Sequence, residues 1–212
     1  RTVYNGVDPS QFNPASKADS GSLVVVWLGR ITPIKDLVTL LQAAAIVRAT
    51  RPDVEFRLYG SASADDEEYY QQCLSIRSSL GIEDAVVFGG PVVSAEAAFN
   101  EGDLVVLSSI SEGFPFSLLE ALLCAKPVVA TAVGGVPEAI EGCGIAVEPR
   151  NPQAMADGIL ALLNDPERRI ALGKAARARA SEQFTLQKCN VAYREMYHQL
   201  AKVSLDRSVD MR

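Results

Sequence analysis

The sequence has 212 residues, 48% hydrophobic and 22% charged, which suits one large domain, or one domain plus a packed tail, with ample material for a core. A formal net charge of −6 argues against nucleic acid or an anionic membrane as the main partner, but leaves room for a small anion held by a local cluster. Cys73, Cys124, Cys143 and Cys189 lack zinc-site spacing and read as buried or free thiols of a reducing compartment, and the lone His198 gives little support to a Ser-His-Asp or Cys-His nucleophile.

There is no apolar run of about 18 residues and no signal-peptide pattern. The chain opens at Arg1 in what reads as mid-protein sequence, so a piece of something longer is expected. Residues 1–22 predict a short strand at Thr2 to Asp8, a turn and a Ser/Lys/Asp/Gly linker. Leu23 to Leu28 is a continuous apolar run, the pattern of a strand covered on both faces, and a helix carrying Leu37, Leu40, Leu41, Ala44 and Ala45 follows it. Val54, Phe56 and Leu58 mark a second strand. A helix over 65–80 begins with Asp65, Asp66, Glu67 and Glu68, acids that a helix dipole favours and that need no metal.

Ala85 to Phe88 predicts a third strand, ending at Gly89-Gly90-Pro91, with a short helix near 94–100. A fourth strand (103–108), a helix (116–125) and a fifth strand (127–131) come next. Pro137 fits the first turn of a helix ending near Gly142, and Gly144 to Val147 is a short sixth strand. Asn151-Pro152 and Asp165-Pro166 start helices reaching Leu163 and about Ser181. A last helix runs from about Thr185 to Lys202, and a polar, frayed ending is expected from Asp206. Strands alternating with helices imply parallel βαβ units, a doubly wound sheet whose ligands sit beyond the carboxyl ends of the strands.

The loops at those ends carry the chemistry. Glu112 and Glu120 lie eight residues apart around a Gly113-Phe114-Pro115 turn, with Glu120 in an otherwise apolar helix whose first N–H groups suit a phosphate. A plainer reading leaves Glu112 in solvent and pairs Glu120 with a buried Arg or Lys. Arg30 and Lys35, after the first strand, are placed to clamp a diphosphate, although surface ion pairs are their commoner fate. No G-x-G-x-x-G follows that strand, which weakens a dinucleotide reading.

The spacing of Glu112 and Glu120 resembles the E-x7-E motif of retaining GT-B glycosyltransferases, family 4. Asn5-Gly6-Val7-Asp8, Gly29-Arg30 with Lys35, Ser111 to Pro115, Leu119-Glu120-Ala121, Pro127 to Thr131, Gly134-Gly135 and Pro137-Glu138 are similar to that family in the same order. The resemblance implies an α/β, Rossmann-like parallel sheet of about six strands, the C-terminal, nucleotide-sugar-binding half of a GT-B fold. It divides the chain into an interdomain strand and linker (1–22), the binding domain (23–183), and a crossover helix and tail (184–212).

By that resemblance the protein transfers a hexose from a nucleotide diphosphate sugar, UDP-glucose or similar, to a hydroxyl acceptor, in polysaccharide or glycoconjugate synthesis and with retention. The catalytic set would be Glu112, which binds donor-sugar hydroxyls, with Arg30 and Lys35 on the diphosphate. Glu120 would hold the ribose hydroxyls. Backbone from Gly113 and Phe114 through Pro115, Phe116, Ser117 and Leu118 would contact sugar and phosphate, while Gly60 and the backbone of Phe88, Gly89 and Gly90 complete the donor site around the base. No cofactor or metal is expected, since the Arg/Lys pair replaces magnesium. Expected partners are the nucleotide sugar, the protein's own missing N-terminal acceptor half and a membrane-associated assembly complex, with no nucleic acid. The expected location is cytoplasmic or peripheral to the inner membrane face, and this piece alone is expected to be inactive. Asp36 stands where the family often has glycine, so Pro33-Ile34-Lys35-Asp36 is more similar to the PelF subgroup of UDP-glucose-using exopolysaccharide enzymes. Phe116, where smaller residues are common, would reshape the sugar pocket. A non-catalytic nucleotide-sugar sensor or scaffold subunit, and a UDP-sugar 2-epimerase of the same architecture, remain alternatives.

Overall fold

Leu23–Leu28 (β1) is apolar at every position because both of its faces are covered. In the computed structural model, which describes residues 2–15 and 21–209, its side chains divide alternately between two cores. Val25 and Trp27 point to one core, Val24 and Val26 to the other. Val54–Tyr59 (β2), Val86–Gly90 (β3), Leu104–Leu107 (β4), Val128–Thr131 (β5) and Gly144–Val147 (β6) complete a six-stranded sheet in the order β3-β2-β1-β4-β5-β6, with every pairing parallel. Leu37–Thr50 (α1), Glu67–Ser79 (α2) and Pro152–Leu163 (α6) contribute to the first core. Ala95–Asn100 (α3), Phe116–Leu123 (α4), Val136–Ala139 (α5) and Pro166–Gln183 (α7) contribute to the second. β2 alternates instead of running apolar because its second face carries Glu55, Arg57 and Tyr59, bonded to one another or to Glu101.

Helix starts follow the sequence closely. Asn151 and Asp165 accept from the N–H groups of Ala154 and Arg168, each ahead of a proline whose missing donor costs nothing there. Other expectations need correcting. The N-terminal strand is a single bridge, Val7 to Thr185, flanked by bonds from Val7 N–H to Phe184 O and from Leu186 N–H to Val7 O. Gly6 permits that approach, since a Cβ there would fall 2.3 Å from Thr185 O. Residues 64–66 form a 3-10 turn before α2, and β3 extends through Gly89 and Gly90. α4 stops at Leu123, and α5 is one turn ending at Ala139. The last helix, Leu186–Val209 (α8), is longer than expected and runs past Asp206, where fraying was expected to begin, to Val209. The linker over 16–20 and residues 210–212 lie outside the described residues. All four cysteines are free, and His198 is exposed on α8. Among the described residues no helix is long and apolar enough to cross a membrane.

Candidate functional site

The strand order reverses between β1 and β4, the place in a doubly wound sheet where ligands sit beyond the carboxyl ends of the strands. The loops leaving these strands are laced together: Ile110 N–H donates to Ile34 O at 2.9 Å, and the buried Ser108 hydroxyl donates to Lys35 O at 2.7 Å. This backbone lacing carries Lys35 Nζ to 2.6 Å from Glu112 Oε1, with the two side chains only 19% and 11% exposed. The Ser109 hydroxyl donates to the same carboxylate oxygen at 2.6 Å, and Thr131 in turn holds Ser109 O at 2.6 Å. Arg30 is exposed on the first of these loops and makes no ion pair among the described residues.

Asp36 has a left-handed backbone, φ 46 and ψ 54, which explains why glycine also suits the position. Aspartate tolerates that conformation and offsets its strain by capping α1, accepting from Thr39 N–H at 3.3 Å and Thr39 Oγ1 at 2.6 Å.

α4 begins beside Glu112. Its first internal bond is from Leu119 N–H to Pro115 O, and among the described residues the N–H groups of Phe116, Ser117 and Leu118 donate to nothing. The turn before it rests on the β5–α5 loop. Gly135 N–H donates to Gly113 O at 2.8 Å, and Gly134, at φ 53, lies so close that a Cβ would fall 1.8 Å from Glu112 O. The buried residues of α4 are Leu118, Leu119, Ala121, Leu122 and Leu123, which leaves one open stripe in which Glu120 lies three and four positions after Ser117 and Phe116. Glu120 is half-buried, and its carboxylate has no hydrogen bond or ion pair among the described residues; burial alone raises its pKa above the usual carboxylate value.

The plainer reading is therefore inverted. Glu112 has the cationic partner, and Glu120, the one expected to be neutralised by a buried cation, has none.

The other expected donor-binding residues separate into backbone and side-chain cases. Phe114, Pro115 and Leu118 turn their side chains inward: Phe114 lies 5.0 Å from each of the Tyr4 and Phe184 rings, and Pro115 and Leu118 are buried. Only their main chain can face a ligand. Phe116 is 54% exposed. Phe88 packs edge-on to Tyr70 and under the Arg77 guanidinium, so only the backbone of Phe88, Gly89 and Gly90 is left to offer at the end of β3. Gly60 N–H is already given to Gly90 O at 2.8 Å, and its φ of 139 packs it against Gly29 O. The sequence reading gave Ser108, Ser109, Thr131 and Asn5 no role as supports of the site, although Asn5, Thr131 and Gly134-Gly135 stood among the marks of the resemblance; Ser108, Thr131 and Asn5 support it through partners 73, 22 and 109 positions away. Among the described residues no three His, Cys, Asp or Glu side chains gather as a metal site.

Residues 22–165 match the family model described as Glycosyl transferases group 1. A D-inositol 3-phosphate glycosyltransferase of Pseudarthrobacter chlorophenolicus is 35% identical over 189 residues, 82% of this chain but only 44% of that relative. The Anabaena protein Alr3699/HepE, crystallised with UDP and glucose, superimposes with a TM-score of 0.84 at 27% identity, over 93% of this chain and 56% of that one. The C-terminal domain of LpcC from Francisella tularensis, a glycosyl transferase group 1 family protein, gives a TM-score of 0.77 at 25% identity, covering 85% of this chain and 100% of that domain. The chain thus spans about half the length of the curated relative, and its sheet is that of a GT-B C-terminal domain.

Proposed function

Because the chain belongs to the glycosyl transferases group 1 family, we propose that it is the donor-binding half of a glycosyltransferase acting on a nucleotide diphosphate sugar, with UDP-glucose the first candidate. The observation that carries the reading is the meeting of Lys35 and Glu112 at the sheet's switch point, beside a helix start whose first N–H groups donate to nothing among the described residues. In this proposal Arg30 and Lys35 take the diphosphate and stabilise charge on the departing UDP. Glu112 accepts from donor-sugar hydroxyls, and Ser109 fixes its carboxylate in place. Glu120, whose carboxylate has no partner among the described residues, accepts from the two ribose hydroxyls. Retention of configuration, independence from metal, a family 4 or PelF-like assignment and a cytoplasmic setting belong to the same proposal. The UDP and glucose found with the Anabaena protein support the choice of base and sugar.

The missing N-terminal half would carry the acceptor and cover α8, where Leu186, Tyr193, Tyr197 and Leu200 are exposed along one helical stripe. A groove of about 590 Å³ between residues 2–5 and that helix would be closed by the same contact. Residues 1–22 would then be the hinge strand and linker, 23–183 the donor domain and 184–212 the crossover.

Calorimetry of this chain against UDP, GDP and ADP tests the proposal, with binding expected for UDP and no transfer by this piece alone. In the full-length protein Glu112→Ala is expected to spare UDP affinity within about threefold and to cut transfer by at least about a hundredfold, as expected for a group acting on the reacting sugar. A variant that loses UDP binding and transfer equally would contradict that division of labour.

A further inference from the structure

Asn5 lies far from the site in sequence, yet its side-chain amide Nδ2 donates to Phe114 O at 2.7 Å across 109 positions. The residue sits on a fixed support, because two positions later Val7 is bonded on both sides to the junction of α7 and α8. Tyr4, its neighbour, packs its ring against that of Phe114 in a tilted contact at 5.0 Å and meets Phe184 edge-on at 5.8 Å, and its hydroxyl bonds to Glu138. On the other side of the turn Gly135 N–H holds Gly113 O. Two consecutive carbonyls before α4 are thus gripped from outside, one by the loop after β5 and one by the chain leading into the domain.

In a trans peptide the C=O and N–H groups point in opposite directions. Holding Gly113 O therefore aims the Phe114 N–H the other way, and holding Phe114 O sets the Phe114–Pro115 peptide from which the helix departs. The N–H groups of Phe116, Ser117 and Leu118, which donate to nothing among the described residues, inherit their direction from that peptide. We propose that Asn5 is a positioning residue for donor binding: it locks the Gly113–Pro115 turn so that the α4 N–H groups face the anionic part of the nucleotide. The inference rests on the donor-site reading above and adds a means by which the segment entering the domain sets the strength of that site.

Asn5→Asp keeps the shape of the side chain but replaces the donor with a carboxylate that repels Phe114 O. Relative to the parent chain, N5D is expected to lose about tenfold or more in UDP affinity while uridine, which lacks phosphate, binds as before. Amide signals of Gly113, Phe116 and Ser117 should shift in the ligand-free variant, with Gly60 and Gly90 unmoved. Tyr4→Phe, which retains the ring contact, should leave UDP affinity unchanged. Equal UDP affinity in N5D and parent, equal losses for UDP and uridine, or an unshifted turn in the free N5D spectrum would each overturn the role of Asn5. Absence of UDP binding by the parent would instead defeat the donor-site reading, so the two failures are distinguishable.

Discussion

Glu120→Ala is expected to lower the affinity of this chain for UDP by roughly 30-fold or more. A carboxylate accepting from two vicinal hydroxyls forms charge-assisted bonds of about 1.5–3 kcal/mol each, and tenfold in affinity corresponds to about 1.4 kcal/mol. Half-buried and unpartnered, Glu120 is held in readiness for such a ligand at some cost to the fold. Burial raises its folded-state pKa above the unfolded value, so its contribution to stability is most favourable at acid pH, where it is protonated in both states. That contribution is lost as pH rises through the folded pKa. Glu120→Gln is therefore expected to melt higher than the parent at pH 7, with the difference shrinking toward pH 4, and still to bind UDP more weakly. Thermal melts at the two pH values and UDP titrations check both parts. A glutamine variant that binds UDP as well as the parent would remove Glu120 from the site.

Gly134→Ala is expected to be among the most damaging single changes near the site. The residue is left-handed at φ 53, a conformation that costs a side-chain-bearing residue about 1–2 kcal/mol. Its new Cβ would also lie 1.8 Å from Glu112 O and 3.1 Å from Gly113 O, backbone atoms that cannot rotate away. Overpacking of this kind adds about 1–3 kcal/mol. A domain of this size shifts by about 2–4 °C per kcal/mol, so a fall of roughly 5–15 °C in Tm is expected, with UDP affinity falling as the Glu112 turn is displaced. Gly113→Ala is the contrast: a Cβ there meets nothing within 4 Å. It is expected to leave Tm within about 2 °C and to weaken binding only of ligands that approach the turn closely. Similar Tm values for parent and G134A would contradict the packing of the β5–α5 loop on the site.

Local signals account for what was legible in the sequence. The apolar runs of β1, β4 and β5 report strands buried on two faces, and the Asn151-Pro152 and Asp165-Pro166 pairs report helix starts, because each needs only its neighbours. Parallel pairing follows from the alternation of strands and helices, whereas the strand order with its reversal between β1 and β4 does not, since other doubly wound orders obey the same rules. Less legible was whatever depends on a distant partner. Thr2 to Asp8 has strand-like residues, but only Val7 finds a bridge, because the chain touches the α7–α8 junction at a single point. Glu112 and Glu120 were both legible as unusual carboxylates, yet which of them would be paired depended on the loop from β1 bringing Lys35 across. Thr131 and Asn5 stood in the sequence only as marks of the resemblance, and their supporting roles come from contacts across 22 and 109 positions.

On this proposal the loops after β1 and β4, bonded to one another and joined by Lys35 and Glu112, bind a nucleoside diphosphate where they meet. A titration of the isotope-labelled chain with UDP, followed through its backbone amides, tests it most directly. Saturable shifts are expected at Gly29 to Asp36, at Gly113 to Leu118 and at Glu120. Signals that stay still at millimolar UDP, or that move only along residues 2–5 and 187–195, would contradict it.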